Sequence, residues 1–218
     1  MLRIVLVYLA SVVYSSVRYV VFAPKNLENL PIFVVNKGVS MAAALCFALA
    51  FFAQWQRARG RAWATEPAWW FRAGIFGAVA HVPMSLAILR PVYFKEFFVE
   101  SGRMSFNGEM VFLFGAMTVG GIYLLSRAAW NERHRWWLSL ATMLTLFVHT
   151  LCMGIARGLN INKSHAYLPP MWLLSLIGIG LGLVFVLMTR PGAGPRRGPA
   201  DGSGAGSGDE PGRTEGGG

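Results

Sequence analysis

The chain has 218 residues, 55% of them hydrophobic and only 14% charged, with a mean hydropathy of +0.47. That profile belongs to a membrane protein and sets aside an ordinary water-soluble domain. The formal net charge of +10 needs no nucleic-acid partner, because the basic residues line short connections that would face anionic lipid head groups.

Crossing a hydrocarbon core of about 30 Å takes roughly 20 apolar residues in a helix. Six segments meet that need, near 2 to 22, 33 to 54, 69 to 89, 108 to 126, 137 to 156 and 168 to 189, and each ends at or near an Arg or Pro. The expected fold is all-α, a six-transmembrane-helix bundle over residues 1–190.

The first segment has neither an extended basic leader nor a small-residue cleavage site, so it reads as a retained helix. Tyr8, Tyr14, Ser15 and Ser16 give it polar groups suited to neighbouring helices. The second carries "VVNKGVSM", with Lys37 inside the span and only about one and a half turns below its outer end. Snorkelling to the interface and pairing with an acidic ligand group both account for that lysine.

The third segment contains "AVAHVPMSL", in which His81, Pro83 and Ser85 interrupt an apolar run. Pro83 lacks an N–H, which frees a carbonyl one turn back and favours a kink. The following "RPVYFKEFFVESGRMSFNGE" mixes aromatic and charged residues and reads as a short interfacial segment covering the outer side.

His134 lies in the basic connection "NERHRWW" before the fifth segment and reads as a solvated or head-group residue. The fifth segment itself carries "LFVHTLCMG", with His149 and Cys152, and His165 follows in "NKSHAYLPP" near the outer interface. Cys46 and Cys152 stand singly in apolar surroundings and read as structural thiols. From residue 191 the Gly, Pro and Ser-rich stretch to residue 218 has no apolar periodicity and is expected to be a disordered cytoplasmic tail.

Basic residues set the orientation. Arg57, Arg59, Arg61 and Arg72, then Arg127, Arg133 and Arg135, then Arg190, Arg196 and Arg197 lie on one side, which places both termini in the cytoplasm. Trp55, Trp63, Trp69, Trp70, Trp130, Trp136 and Trp137 fall where the inner aromatic belt should be.

His81 and His149 lie about 12 residues beyond Trp69 and Trp137, so each stands roughly 18 Å above the inner belt. Polar side chains inside lipid are costly, and two at one depth on different helices invite a shared ligand. A planar macrocycle with one imidazole on each face of its iron suits them, as in b-type haem proteins. Arg18, Lys37, Arg90, Arg157 and Lys163 offer cations to the propionates. A closed zinc shell wants four ligands, and only Cys152 could join the two histidines. Interhelical hydrogen bonds, to Ser85, Thr145, Thr150 or a backbone carbonyl, are the cofactor-free alternative.

The helix count, the two histidines, "NKG" and "HVPMS" together resemble the ferric reductase-like transmembrane domain family. That family includes the membrane parts of ferric reductases and NADPH oxidases and the haem subunit of a bacterial periplasmic methionine sulfoxide reductase system. The resemblance covers residues 1 to 189 and implies haem iron held by His81 and His149; of the cations named above, Lys37 and Arg90 are the expected cofactor-binding pair, and His165 is an alternative ligand should the fifth helix extend or bend. It also implies an integral protein of a bacterial inner membrane, acting as an oxidoreductase subunit.

Two-haem members carry a second histidine about four helical turns from the first on each helix. Here those positions hold Pro67, Ala68, Phe94 and Lys95 around His81, and Arg135, Trp136, Asn162 and Lys163 around His149, so one haem is expected. No GxGxxG fingerprint or flavin domain accompanies the helices, and a redox partner protein or a membrane quinone would have to supply electrons. The competing expectation is a cofactor-free scaffold or small transporter, although the first three and last three segments show no internal repeat.

Overall fold

The computed structural model describes residues 1–22, 30–61, 65–127, 130–155 and 168–191. Six helices follow one another: α1 (Leu2–Ser16), α2 (Leu30–Ala58), α3 (Pro67–Ala87), α4 (Phe106–Arg127), α5 (Glu132–Ile155) and α6 (Met171–Met188). A π-helical turn, Val17–Val21, extends α1, and a 3-10 turn, Lys95–Phe97, lies between α3 and α4. Among the described residues the only extended pairing is one antiparallel bridge, Phe98 to Met104. Among the described residues the secondary structure is helical, as expected. The expected tail lies outside the described residues, apart from Pro191.

Five stretches are long and apolar enough to cross a membrane: Leu2–Val21, Pro31–Ala58, Phe106–Arg127, Glu132–Ile155 and Met171–Met188. α3 has 21 residues but is not among them. Arg72, His81, Pro83 and the Trp69–Trp70 pair dilute its apolar content. The helix nevertheless continues through Pro83 to Ala87.

The helices are inverted relative to those of a water-soluble bundle. α1 buries Ser11 and Ser15, at 1% and 0% exposure, and turns Leu2, Val5, Leu9 and Val13 outward. α5 likewise buries Ser139, Thr142 and Thr150 while Trp137 and Leu144 face out. In water this would expose apolar surface and bury polar groups at a cost in both; facing lipid, the outward apolar side chains are already solvated. The inward hydroxyls are satisfied locally, Thr142 by Leu138 O at 2.7 Å and Thr150 by Leu146 O at 3.0 Å.

α2 is the central helix, packed against α1, α3 and α6, while α5 packs against α4 and α6. Its buried face is made largely of small residues, Ala42, Ala43, Ala44, Cys46, Ala50 and Ala53, which let three neighbours approach its backbone. Gly38 continues that face: a Cβ there would stand 2.7 Å from the Val12 backbone of α1. Polar ties from α1 reinforce the packing. Ser15 Oγ donates to Val34 O at 2.8 Å, Tyr8 to Ala73 O and Tyr14 to Pro169 O, both at 2.6 Å. Trp70, expected in the interfacial belt, is instead 2% exposed and packs with Cys46, Ala50 and Ala53. Trp63 lies outside the described residues.

The connection from α3 to α4 folds back over one end of the bundle. Ile88, Phe94 and Phe97 are buried in one cluster with Tyr19, Phe33, Val34 and Met171. The Phe94 and Phe97 rings stack at 5.3 Å, and Ser105 N donates to Phe97 O at 2.8 Å. Ser105 Oγ then accepts from Gly108 N at 3.2 Å and caps the start of α4. The expected interfacial segment is therefore a packed aromatic cap.

Candidate functional site

His81 projects from α3 toward α2, where its Nδ1 stands 2.6 Å from Asn36 Oδ1. Asn36 Nδ2 donates to Ser85 Oγ at 3.0 Å, which leaves Oδ1 as the acceptor for His81. The hydrogen-bond pattern thus assigns the proton of His81 to Nδ1. Ser85 Oγ lies 3.2 Å from Nδ1, 3.3 Å from Nε2 and 3.3 Å from Asn36 Oδ1. With the proton on Nδ1, Nε2 carries the lone pair, and the Ser85 hydroxyl is its neighbour.

His149 reaches the same tautomer by a different route. Its Nδ1 lies 2.8 Å from Val111 O, and a carbonyl can only accept, so Nδ1–H is the donor. Gly115, one turn after Val111 on α4, makes room for the ring: a Cβ there would stand 3.1 Å from His149 Nδ1 and 3.2 Å from Cε1. Both histidines are half-buried. Thr145 and Thr150, the other expected partners, turn elsewhere, Thr145 to Thr142 O at 2.9 Å and Thr150 to Leu146 O.

Lys37, the residue after Asn36, is 9% exposed. Its Nζ stands 5.0 Å from the centroid of Phe94 and 5.5 Å from that of Phe33, under the aromatic cap rather than out in water. Lys37 is within electrostatic reach of both imidazoles, and the two imidazoles are within reach of each other. Three of the expected residues, His81, His149 and Lys37, come together.

Arg90 does not join them in burial: it is exposed at the start of the cap, where its carbonyl accepts from Tyr93 N and Phe94 N, both at 3.0 Å. Arg18 is buried but committed elsewhere, donating from Nη1 to Leu168 O and to Pro169 O ahead of α6. Arg157, Lys163 and the alternative ligand His165 lie outside the described residues. Cys46 and Cys152 are free thiols, and Cys152 packs against the cluster under the cap. Among the described residues no group of three or more His, Cys, Asp or Glu side chains is placed to hold a metal ion.

Bis-imidazole haem ligation needs two neutral rings on separate elements, each with one nitrogen bare and the other hydrogen-bonded. His149 fits that requirement among the described residues, and His81 fits it once the Ser85 hydroxyl gives up its 3.3 Å contact with Nε2. α3 and α5, which carry them, are each packed chiefly on other helices and do not pack closely on one another. Asn36 is not among the partners expected from sequence, and the backbone carbonyl that was expected in general terms is that of Val111. The polar "NK" pair inside an apolar span was the available signal for Asn36, whereas a backbone carbonyl leaves no sequence trace. Comparison with protein-family models and with characterised proteins gives no significant match.

Proposed function

We propose that this chain is a membrane electron-transfer subunit, similar in plan to ferric reductase-like domains, that binds one b-type haem between His81 and His149. All six helices would span, α3 being carried across by its packing on α2. Both termini would be cytoplasmic, in a bacterial inner membrane, with the haem in the outer half of the bilayer. The observation that carries the reading is the matched tautomer: each ring is engaged through Nδ1–H, so that Nε2 is the nitrogen that would face iron.

When bound, haem supplies a reversible one-electron couple. The chain's contribution is to orient both imidazoles, exclude water with Phe33, Phe94 and Phe97, and hold the Lys37 charge where it can meet a propionate. Arg90, at the rim, is the second propionate cation. Electrons would come from a partner protein or a quinone in the surrounding lipid, and no catalytic residue is assigned.

One observation favours a cofactor-free scaffold or transporter: both histidines already tie helices together, α3 to α2 and α5 to α4. Absorbance spectra of the purified, detergent-solubilised protein before and after dithionite separate the two readings. A Soret band that shifts on reduction, and that is lost in both His81→Ala and His149→Ala, supports haem. A Soret band unchanged in both variants would assign any bound haem to other ligands.

A further inference from the structure

We infer that Asn36 is a positioning residue for the His81 ligand, its side-chain carbonyl deciding which ring nitrogen faces the cofactor and how strongly that nitrogen donates. The inference rests on the haem reading above.

Asn36 is 1% exposed in the second turn of α2, where an amide is costly to bury unless its hydrogen bonds are made. It makes them to one helix only. Oδ1 accepts from His81 Nδ1, and Nδ2 donates to Ser85 Oγ one turn further along α3. That two-point contact ties His81 and Ser85 of α3 to α2 and holds the direction of the imidazole.

The two histidines differ in what holds them. His149 leans on Val111 O, which no side-chain substitution deletes, whereas His81 leans on an amide that a single codon change removes. An acceptor on Nδ1–H makes Nε2 more basic and a better donor to ferric iron, so it lowers the reduction potential. Asn36 therefore sets both retention and potential through His81 without touching iron itself.

The test uses the full-length protein, reconstituted with haem and titrated potentiometrically, with Asn36→Leu, Asn36→Asp and Ser85→Ala as variants. Asn36→Leu removes the acceptor. Haem affinity should fall about 10- to 100-fold and the potential of what remains should rise. Asn36→Asp keeps an oxygen acceptor and strengthens it, so haem should be retained at a lower potential. Ser85→Ala should shift the potential in the same direction as Asn36→Leu, but less. Opposite signs for Leu and Asp are not expected of a residue that only packs. Should Asn36→Leu fail to fold, the Asp and Ala variants still decide. Wild-type potential and affinity in the variants, with haem bound, would overturn the inference alone. A wild-type protein that takes up no haem would overturn the haem reading and this inference with it.

Discussion

The Nδ1 of His149 lies 2.8 Å from the backbone carbonyl of Val111, a hydrogen bond that ties α5 to α4 and turns the second ring nitrogen away from it. Val111 O is also the acceptor of the ordinary helical bond from Gly115 N, and the absent side chain of Gly115 admits the imidazole beside it. The orientation of the His149 ring thus depends on a glycine one turn away from the carbonyl that holds it.

Substitution at Gly115 should therefore act on the cofactor rather than on the fold alone. Gly115→Ala asks His149 to yield by a few tenths of an ångström and should keep most of the haem. Gly115→Leu should displace the ring and lose the greater part of it. The ratio of Soret to protein absorbance after purification measures both.

If haem is bound as proposed, Lys37 should raise its potential. A positive charge nearby disfavours the ferric state, which carries one more positive charge than the ferrous state, so removing it favours ferric haem. Lys37→Met is expected to lower the midpoint potential by on the order of 50 mV, as one screened charge at close range would. A redox titration in detergent checks the sign first and the size second. An unchanged potential would show that the ammonium does not act on the iron.

The buried hydroxyls of α1 should contribute little individually. Ser15→Ala removes the 2.8 Å bond to Val34 O at a site 0% exposed. Interhelical side-chain bonds in membranes are worth about 0.6 kcal/mol on average. Unfolding in mixed detergent micelles should place Ser15→Ala within about 1.7 kcal/mol of the wild type. A larger loss would mean that Ser15 fixes the position of α1.

Orientation can be read from two exposed positions, Ser101 in the cap and Asn131 before α5. In a background with Cys46 and Cys152 replaced, a membrane-impermeant maleimide should label Ser101→Cys from the periplasmic side. Asn131→Cys should react only after the inner membrane is opened. The reverse pattern would invert the topology.

The helices were legible because hydrophobic run length is a one-dimensional property, and α1, α2, α4, α5 and α6 each carry an apolar stretch long enough to span. Even α3, diluted by Arg72, His81 and Pro83, could be placed from its flanks. The roles of individual residues were less legible, since they depend on which face of a helix meets which neighbour. Trp70 illustrates this: its type fits an interface, but its position on α3 aims it at the small residues of α2. Lys37 was recognisable as an anomaly, yet its fate depended on Phe94, 57 positions further along the chain. Asn36 was passed over beside a more conspicuous lysine, although a buried amide needs partners as much as a buried charge does. Val111 offered nothing to read, because what it contributes is its backbone.

The most direct measurement is the haem content of the purified full-length protein from haem-replete cells, by pyridine haemochrome against protein concentration. One b-type haem per chain, low-spin in both oxidation states, is the expected result. A colourless protein would contradict the account and leave His81 and His149 as ties between helices.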